Sequence, residues 1–150
     1  MENLNHRDIA ISTYNTCWEL LENEHRTPEE DRALLTLAFT SRYHWSIVGG
    51  KDQTIIANWM ISRAAAAVGE GTVALNFAQL AFDLAHDADV PDWLVASVHE
   101  GFARAYAAAG DARARDEWYA SAIELADQIA DDEYRALIAD QLDSVPRSHS

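Results

Sequence analysis

A chain of 150 residues with 49% apolar and 24% charged residues is long enough to fold around its own core and too apolar to stay disordered. Its 25 acidic and 11 basic residues give a net charge of −14, and a field of that sign excludes nucleic acid and anionic membranes as favourable partners. No window approaches the roughly 20 apolar residues that a membrane span needs.

The N-terminus and the cysteine count favour a cytoplasmic protein. The segment MENLNHRDIAIS carries acidic and amide side chains and has no continuous apolar stretch, so it is not a signal peptide. Cys17, the single cysteine, cannot form an internal disulfide, and tryptophan rather than a basic residue follows it to lower its pKa. We therefore expect a soluble protein of the cytoplasm.

Helix-start and helix-end signals divide the chain. Thr27-Pro28-Glu29-Glu30 combines an N-cap, a proline suited to the first turn and a glutamate that completes a capping box, and Gly49-Gly50 ends that helix. Val68-Gly69 indicates a helix end with a left-handed glycine, and Thr72 is the predicted cap of the next helix.

The same kinds of signal continue towards the C-terminus. Pro91 opens a helix that Gly110 closes, Asp111 caps the next one, and Asp131-Asp132 marks a break before a short last helix. These signals predict about seven helices in antiparallel hairpins.

Apolar side chains recur at helical spacing between these signals. In the fifth helix, Leu94, Val98 and Phe102 follow one another at intervals of four residues, and we find no alternating β-branched runs. The sequence therefore predicts an all-α fold with a single domain over residues 1–145. A disordered tail is predicted over residues 146–150.

An internal repeat relates two segments of the chain. Residues 59–85 match residues 100–126 at an offset of 41. Besides alanines, an arginine, a turn glycine and an aromatic coincide: Arg63 with Arg104, Gly69 with Gly110, and Phe77 with Trp118. We interpret the two segments as successive helix–turn–helix units.

In these units the chain resembles tetratricopeptide repeats, over roughly Gln53 to Gln128. The small residues of the second helices and the aromatic of a first helix carry the resemblance: Ala74, Ala81, Ala122 and Tyr106. Two features depart from it: the linker of residues 86–91 lengthens the usual period of about 34 residues, and Arg115 replaces a small residue. The resemblance implies stacked hairpins whose first helices line a concave groove.

A second resemblance covers most of the chain. The string Ser41-Arg42-Tyr43-His44-Trp45, Trp59 followed by Ser62-Arg63, and the AAAGD turn that ends at Asp111 are similar to those of a family of small uncharacterised bacterial proteins. This resemblance supports the predicted fold but does not imply any activity.

The repeat predicts that Arg63 and Arg104 project from neighbouring first helices. Two guanidinium groups there would suit a carboxylate or phosphate, although Glu100 lies four residues before Arg104 and would explain that arginine as an ion pair. The leading hypothesis is a non-enzymatic binding or scaffold module for a peptide or protein, including a second copy of itself. Its predicted groove residues are Trp59, Arg63, His99, Arg104 and Tyr106.

The alternative hypothesis starts from Arg42, His44 and Trp45, clustered on a largely apolar helix. One interpretation is structural, with Arg42 paired to an acidic residue and His44 hydrogen-bonded, because an unpaired buried charge is destabilising. The other is an enclosed pocket with Trp59 and Arg63. There a small enzyme or ligand sensor would bind a small anionic molecule and His44 would be the acid/base residue.

Signatures of metal, cofactor or nucleophilic chemistry are missing from the sequence. We find no HExxH string, GxSxG elbow or P-loop, since Gly49-Gly50-Lys51 is too short for one. His99 shares a helical face with Val95 and Phe102, which is typical of a histidine satisfied in the core. We therefore predict no metal and no cofactor and, in the leading hypothesis, no catalytic residue.

Overall fold

Seven helices form the regular structure of residues 5–147, the part of the chain that the computed structural model describes. They are α1 (His6–Glu22), α2 (Pro28–Val48), α3 (Lys51–Ala67), α4 (Gly71–His86), α5 (Asp92–Ala109), α6 (Ala112–Asp127) and α7 (Asp132–Asp143). No residue in this range lies in a strand, so the all-α prediction is confirmed. The predicted tail falls partly outside the described residues, which end at Arg147.

Local capping explains where several helices begin. At the start of α2, the Thr27 hydroxyl accepts the Glu30 N–H at 3.1 Å, and the Glu30 carboxylate accepts the Thr27 N–H at 3.0 Å. Asp111 caps α6 through its carboxylate, as the sequence predicts, and Asp131, at the predicted break, caps α7 in the same way. Each cap satisfies N–H groups that have no partner within the helix.

The Thr27 cap gives a measurable prediction. Replacing Thr27 with alanine removes the side-chain acceptor of the capping box, and we expect the free energy of unfolding to fall by about 1 kcal/mol. The matched control is Thr36→Ala in the middle of α2, where alanine has the higher helix propensity and the loss should be absent. Urea unfolding of both variants measures the difference, and an equal loss in both would contradict the capping role.

The same kind of turn joins the two helices of each repeat unit. Gly69 and Gly110 adopt φ values of 83° and 82°, in the left-handed region that glycine tolerates. The next N–H then donates back to the carbonyl five residues earlier, from Glu70 to Ala65 at 2.8 Å and from Asp111 to Tyr106 at 3.0 Å. Because this turn is so short, α4 already begins at Gly71. The predicted cap at Thr72 is therefore wrong, and Glu70 occupies that position.

Consecutive helices pair as hairpins, α1 with α2, α3 with α4 and α5 with α6. The first helices also contact one another in series, α1 with α3, α3 with α5, and α5 with α7, so they form an inner layer. The outer layer of α2, α4 and α6 packs through small side chains, among them the buried alanines Ala74, Ala81 and Ala122. These small side chains allow the neighbouring helices to approach closely.

The last helix closes the stack on one side. Ile138 and Leu142 of α7 are buried in a cluster with Ala96, Ala122 and Ile129 of the preceding hairpin and its loop. The neighbouring Leu137 stays 49% exposed and faces the surface that the inner helices form. That surface contains the candidate site.

Candidate functional site

The inner helices enclose a depression that we call the groove. Its largest cavity, about 660 Å³, lies between α1 and α7 and is lined by Tyr14, Trp18, Glu22, Arg63, Leu137, Asp140, Gln141, Asp143 and Ser144. A second cavity of about 390 Å³ shares Arg63 and Ser144 with it, and a third of about 160 Å³ shares Tyr14, Leu137 and Gln141. The three cavities therefore adjoin along the inner layer, with Arg63 near their centre.

A buried charge cluster lies at the floor of the groove. Glu100 of α5 is fully buried, and its Oε1 atom lies 3.4 Å from Nη1 of Arg63 and 3.4 Å from Nη2 of Arg104. The predicted ion pair between Glu100 and Arg104 is present, and the pair that joins α5 to α3 through Arg63 adds to it. Two guanidinium groups thus share one carboxylate, which leaves one positive charge in excess.

Arg63 is held between aromatic rings. Its guanidinium carbon lies 4.8 Å from the ring centroid of Trp18 and 5.7 Å from that of Trp59, within the range of cation–π attraction. Burial lowers the pKa of Arg63 to about 10, and the nearby charge of Arg104 contributes to this shift. Arg63 is therefore still cationic at neutral pH, and the aromatic faces partly replace its lost hydration.

Arg104 has a different set of partners. Its guanidinium donates to the Gln141 carbonyl at 3.0 Å, to the Ser144 hydroxyl at 2.9 Å and to the Ser144 carbonyl at 3.3 Å. Carbonyls at the last turn of a helix have no partner within it, so Arg104 satisfies the end of α7 and fixes that helix to α5. The aligned arginines of the repeat thus differ in role: both line the 390 Å³ cavity, but Arg63 also lines the 660 Å³ cavity, whereas Arg104 holds α7 against α5.

Buried polar atoms without a protein partner gather at the same place. Six such atoms occur in residues 5–147. Five of them belong to the floor of the groove and the C-terminal end of α7: Trp59 Nε1, Arg63 Nε, Glu100 Oε2, Arg104 Nε and Gln141 Oε1. Buried polar groups in folded proteins are nearly always hydrogen-bonded. Because five of the six unpaired polar atoms lie here, the groove floor is where buried groups could still form hydrogen bonds.

Gly101 explains how Trp59 reaches this position. A Cβ atom at Gly101 would lie 3.0 Å from Cδ1 of Trp59 and 3.3 Å from its Nε1. The missing side chain therefore lets the indole of α3 lie directly against α5. This close approach makes Trp59 part of both the core and the wall of the 160 Å³ cavity.

A spacing of 41 residues runs through all four inner helices. Trp18, Trp59, Glu100 and Gln141 follow one another at this interval, one from each helix. The Trp18 and Trp59 rings are in contact, with centroids 5.9 Å apart. The internal repeat therefore extends beyond the two units that sequence alignment detects, and Trp18 and Gln141 are groove residues that sequence reasoning missed.

Arg42, His44 and Trp45 have their contacts elsewhere. Arg42 donates to Oδ1 of Asn58 at 2.7 Å rather than to the expected acidic residue, and its guanidinium lies over the Phe77 ring. The Nδ1 atom of His44 is 2.8 Å from Nδ1 of His6 in α1.

Trp45 lies under the Arg7 guanidinium, at 5.4 Å, and lines a cavity of about 190 Å³ that shares Tyr14 and Ile56 with the 160 Å³ cavity. None of the three predicted residues of α2 lines either of the cavities that Arg63 lines. The structure therefore does not bring His44 and Arg63 into one pocket wall.

His99 and Tyr106 lie on another face of α5. His99 Nδ1 is 2.8 Å from the Ser121 hydroxyl, and the ring packs against Trp118 of α6. Burial lowers the pKa of His99, which favours the neutral ring. Tyr106 stacks on Phe102 with ring centroids 5.9 Å apart. Five residues separate His99 from Arg104, which corresponds to a rotation of about 140° around a helix, so both cannot face the groove.

Other chemistry has little support in the described residues. Cys17 is buried, and this burial raises the pKa of its thiol to about 11, so it is protonated at neutral pH. Among residues 5–147, no group of three or more His, Cys, Asp or Glu side chains is placed to hold a metal ion. Within the same range, no helix has the length and hydropathy to cross a bilayer.

Comparison with known proteins adds no relative. No protein-family model matches the chain, and no curated protein is significantly similar to it.

Proposed function

We propose that this protein is a non-enzymatic, cytoplasmic helical-repeat binding module that holds a peptide segment of a partner protein in the groove. The observation that carries the proposal is the row of three adjoining cavities along the inner helices. Tyr14, Trp18 and Leu137 give the largest of them aromatic and apolar walls, which suit an apolar side chain of a bound segment. The resemblance to tetratricopeptide repeats, whose inner helices line a binding groove, supports the same function.

A small anionic ligand is the less favoured occupant. Its negative charge would be opposed by three exposed carboxylates, those of Glu22, Asp140 and Asp143, which line the same cavity as Arg63. Here Arg63 and Arg104 already share Glu100, and Arg104 is also bonded to the end of α7. His44, the acid/base candidate of an enzyme, has His6 as its partner and does not line the cavities around Arg63.

A substitution in the groove wall tests the proposal. Peptides selected from a random library against the full chain should bind wild type, and Leu137→Glu should weaken them about tenfold because a charge replaces the apolar wall. Leu80→Glu is the matched control, since Leu80 is a similarly exposed leucine, 41% against 49%, on the outer helix α4. Isothermal titration calorimetry gives the affinities.

The proposal fails if the library yields no binding peptide, or if the two leucine variants weaken binding equally. Sedimentation of the free protein tests whether the groove instead binds a second copy of the chain. If the groove is occupied by a second copy, Leu137→Glu should convert an oligomer to a monomer, and peptides should then compete with self-association.

A further inference from the structure

The rim of the groove is acidic. Glu22 at the end of α1 and Asp140 and Asp143 on α7 are exposed and line the 660 Å³ cavity from its two sides. Arg63 is the one basic residue among the nine that line this cavity. A partner that approaches the groove therefore first meets three carboxylates on a protein whose net charge is already −14.

The positive charge of Arg63 does not reverse this field. Its side chain is 13% exposed, and Glu100 lies against its guanidinium group. Glu100 is shared with Arg104, so the cluster at the floor keeps one excess positive charge against three negative charges at the rim. The mouth of the groove is thus complementary to a cationic segment, which is the opposite of the anionic partner that the two arginines suggest in the sequence.

An independent observation points to a peptide backbone at the floor. Trp59 is 4% exposed, its indole N–H has no acceptor, and it lines the 160 Å³ cavity. Gln141 lines the same cavity, and its buried Oε1 has no donor. Both atoms are shielded from solvent in the free protein, so they pair with a bound segment once the side chains of Trp59 and Gln141 turn towards the cavity. A peptide group supplies the complementary carbonyl oxygen and N–H.

We infer that the segment held in the groove is basic, with lysine or arginine side chains flanking an apolar anchor. The apolar side chain enters between Tyr14 and Leu137, and the flanking cations meet Glu22, Asp140 and Asp143. A backbone amide of the segment accepts from Trp59 and donates to Gln141. This inference rests on the proposed function, because it names the chemistry of the peptide that the groove would hold.

Library selection against the full chain, followed by charge variants, tests the inference. Selected peptides should be enriched in lysine and arginine and depleted in acidic residues relative to the input library. The rim variant Glu22→Gln/Asp140→Asn/Asp143→Asn should weaken the best basic peptide about tenfold, and added salt should weaken it as well.

The control variant Asp87→Asn/Glu124→Gln/Asp127→Asn removes the same number of charges from exposed positions outside the cavities that form the groove. We expect less than about a twofold change for it, since none of the three side chains lines the groove and salt weakens the effect of exposed charges with distance. In proton–nitrogen spectra, the Trp59 indole resonance should move downfield on binding, as its N–H gains an acceptor. A Trp59→Phe variant assigns that resonance.

The outcomes separate the two proposals. If the selected peptides bind in the groove but are neutral or acidic, the inference of a basic segment is wrong and the proposed function still holds. Equal weakening by the rim and control variants would also overturn the inference, because it would show an effect of net charge alone. A library that yields no binder would overturn both.

Discussion

Replacing Glu100 with glutamine should lower the free energy of unfolding by about 3–5 kcal/mol, the range measured when one partner of a buried ion pair is removed. Glu100 is fully buried and is the carboxylate within hydrogen-bond reach of both Arg63 and Arg104. Glutamine keeps the size of the side chain but removes its charge. Two largely buried guanidinium groups would then face each other with no counter-charge between them.

Urea-induced unfolding followed by circular dichroism measures the loss. The matched control is Glu117→Gln, which removes an ion pair of the same spacing on the surface, between side chains that are 91% and 67% exposed. Exposed pairs contribute less than about 1 kcal/mol, so this control should unfold almost as wild type does. If Glu100→Gln were as mild as Glu117→Gln, the charge cluster would not be a structural element of the groove floor.

Gly71→Ala should be the second most damaging substitution, with an expected loss of about 2 kcal/mol. A Cβ atom at Gly71 would lie 2.7 Å from the Cα atom of Ala109 and 3.0 Å from the carbonyl oxygen of Ala108. Both are backbone atoms at the end of α5, so the clash cannot be relieved by a rotamer change. The two helices would have to separate, and this strain outweighs the gain in helix propensity from alanine.

Gly50→Ala provides the comparison for Gly71→Ala. The Cβ atom at Gly50 meets the end of the flexible Gln53 side chain, at 3.2 Å, and φ at Gly50 is −92°, which alanine adopts readily. We expect a change close to zero for it in thermal unfolding. Similar losses at both glycines would show that the contact between α4 and α5 is looser than the distances indicate.

Local signals explain why the helices could be predicted from the sequence. The capping box at Thr27, the left-handed glycines Gly69 and Gly110, and the cap at Asp111 act within a few residues of the chain, so each can be recognised alone. Thr72 misled the prediction because a cap residue is recognised by type, whereas the start of α4 is set by the preceding turn. The error of two residues has no effect on the hairpin.

The groove could be predicted only in part, because it depends on which face of each helix turns inward. The repeat correctly places Arg63 and Arg104 on neighbouring first helices, but it does not show that they share Glu100 or distinguish the face of Arg104 from that of His99. Tyr14 and Leu137 line the same cavity from helices at opposite ends of the stack, and no local pattern joins them. A search for the 41-residue spacing in the first and last helices would have found Trp18 and Gln141.

The position of α7 links binding to folding cooperativity. A linear stack of repeats frays from its ends, because a terminal unit has a neighbour on one side only. Here α7 contacts α5 and α6, and it supplies one wall of the groove while α1, at the other end of the stack, supplies the opposite wall. A segment bound between them would tie the two ends together, so that the first and last helices could no longer open independently. Occupancy of the groove would then turn an open chain of hairpins into a closed unit that unfolds in one step.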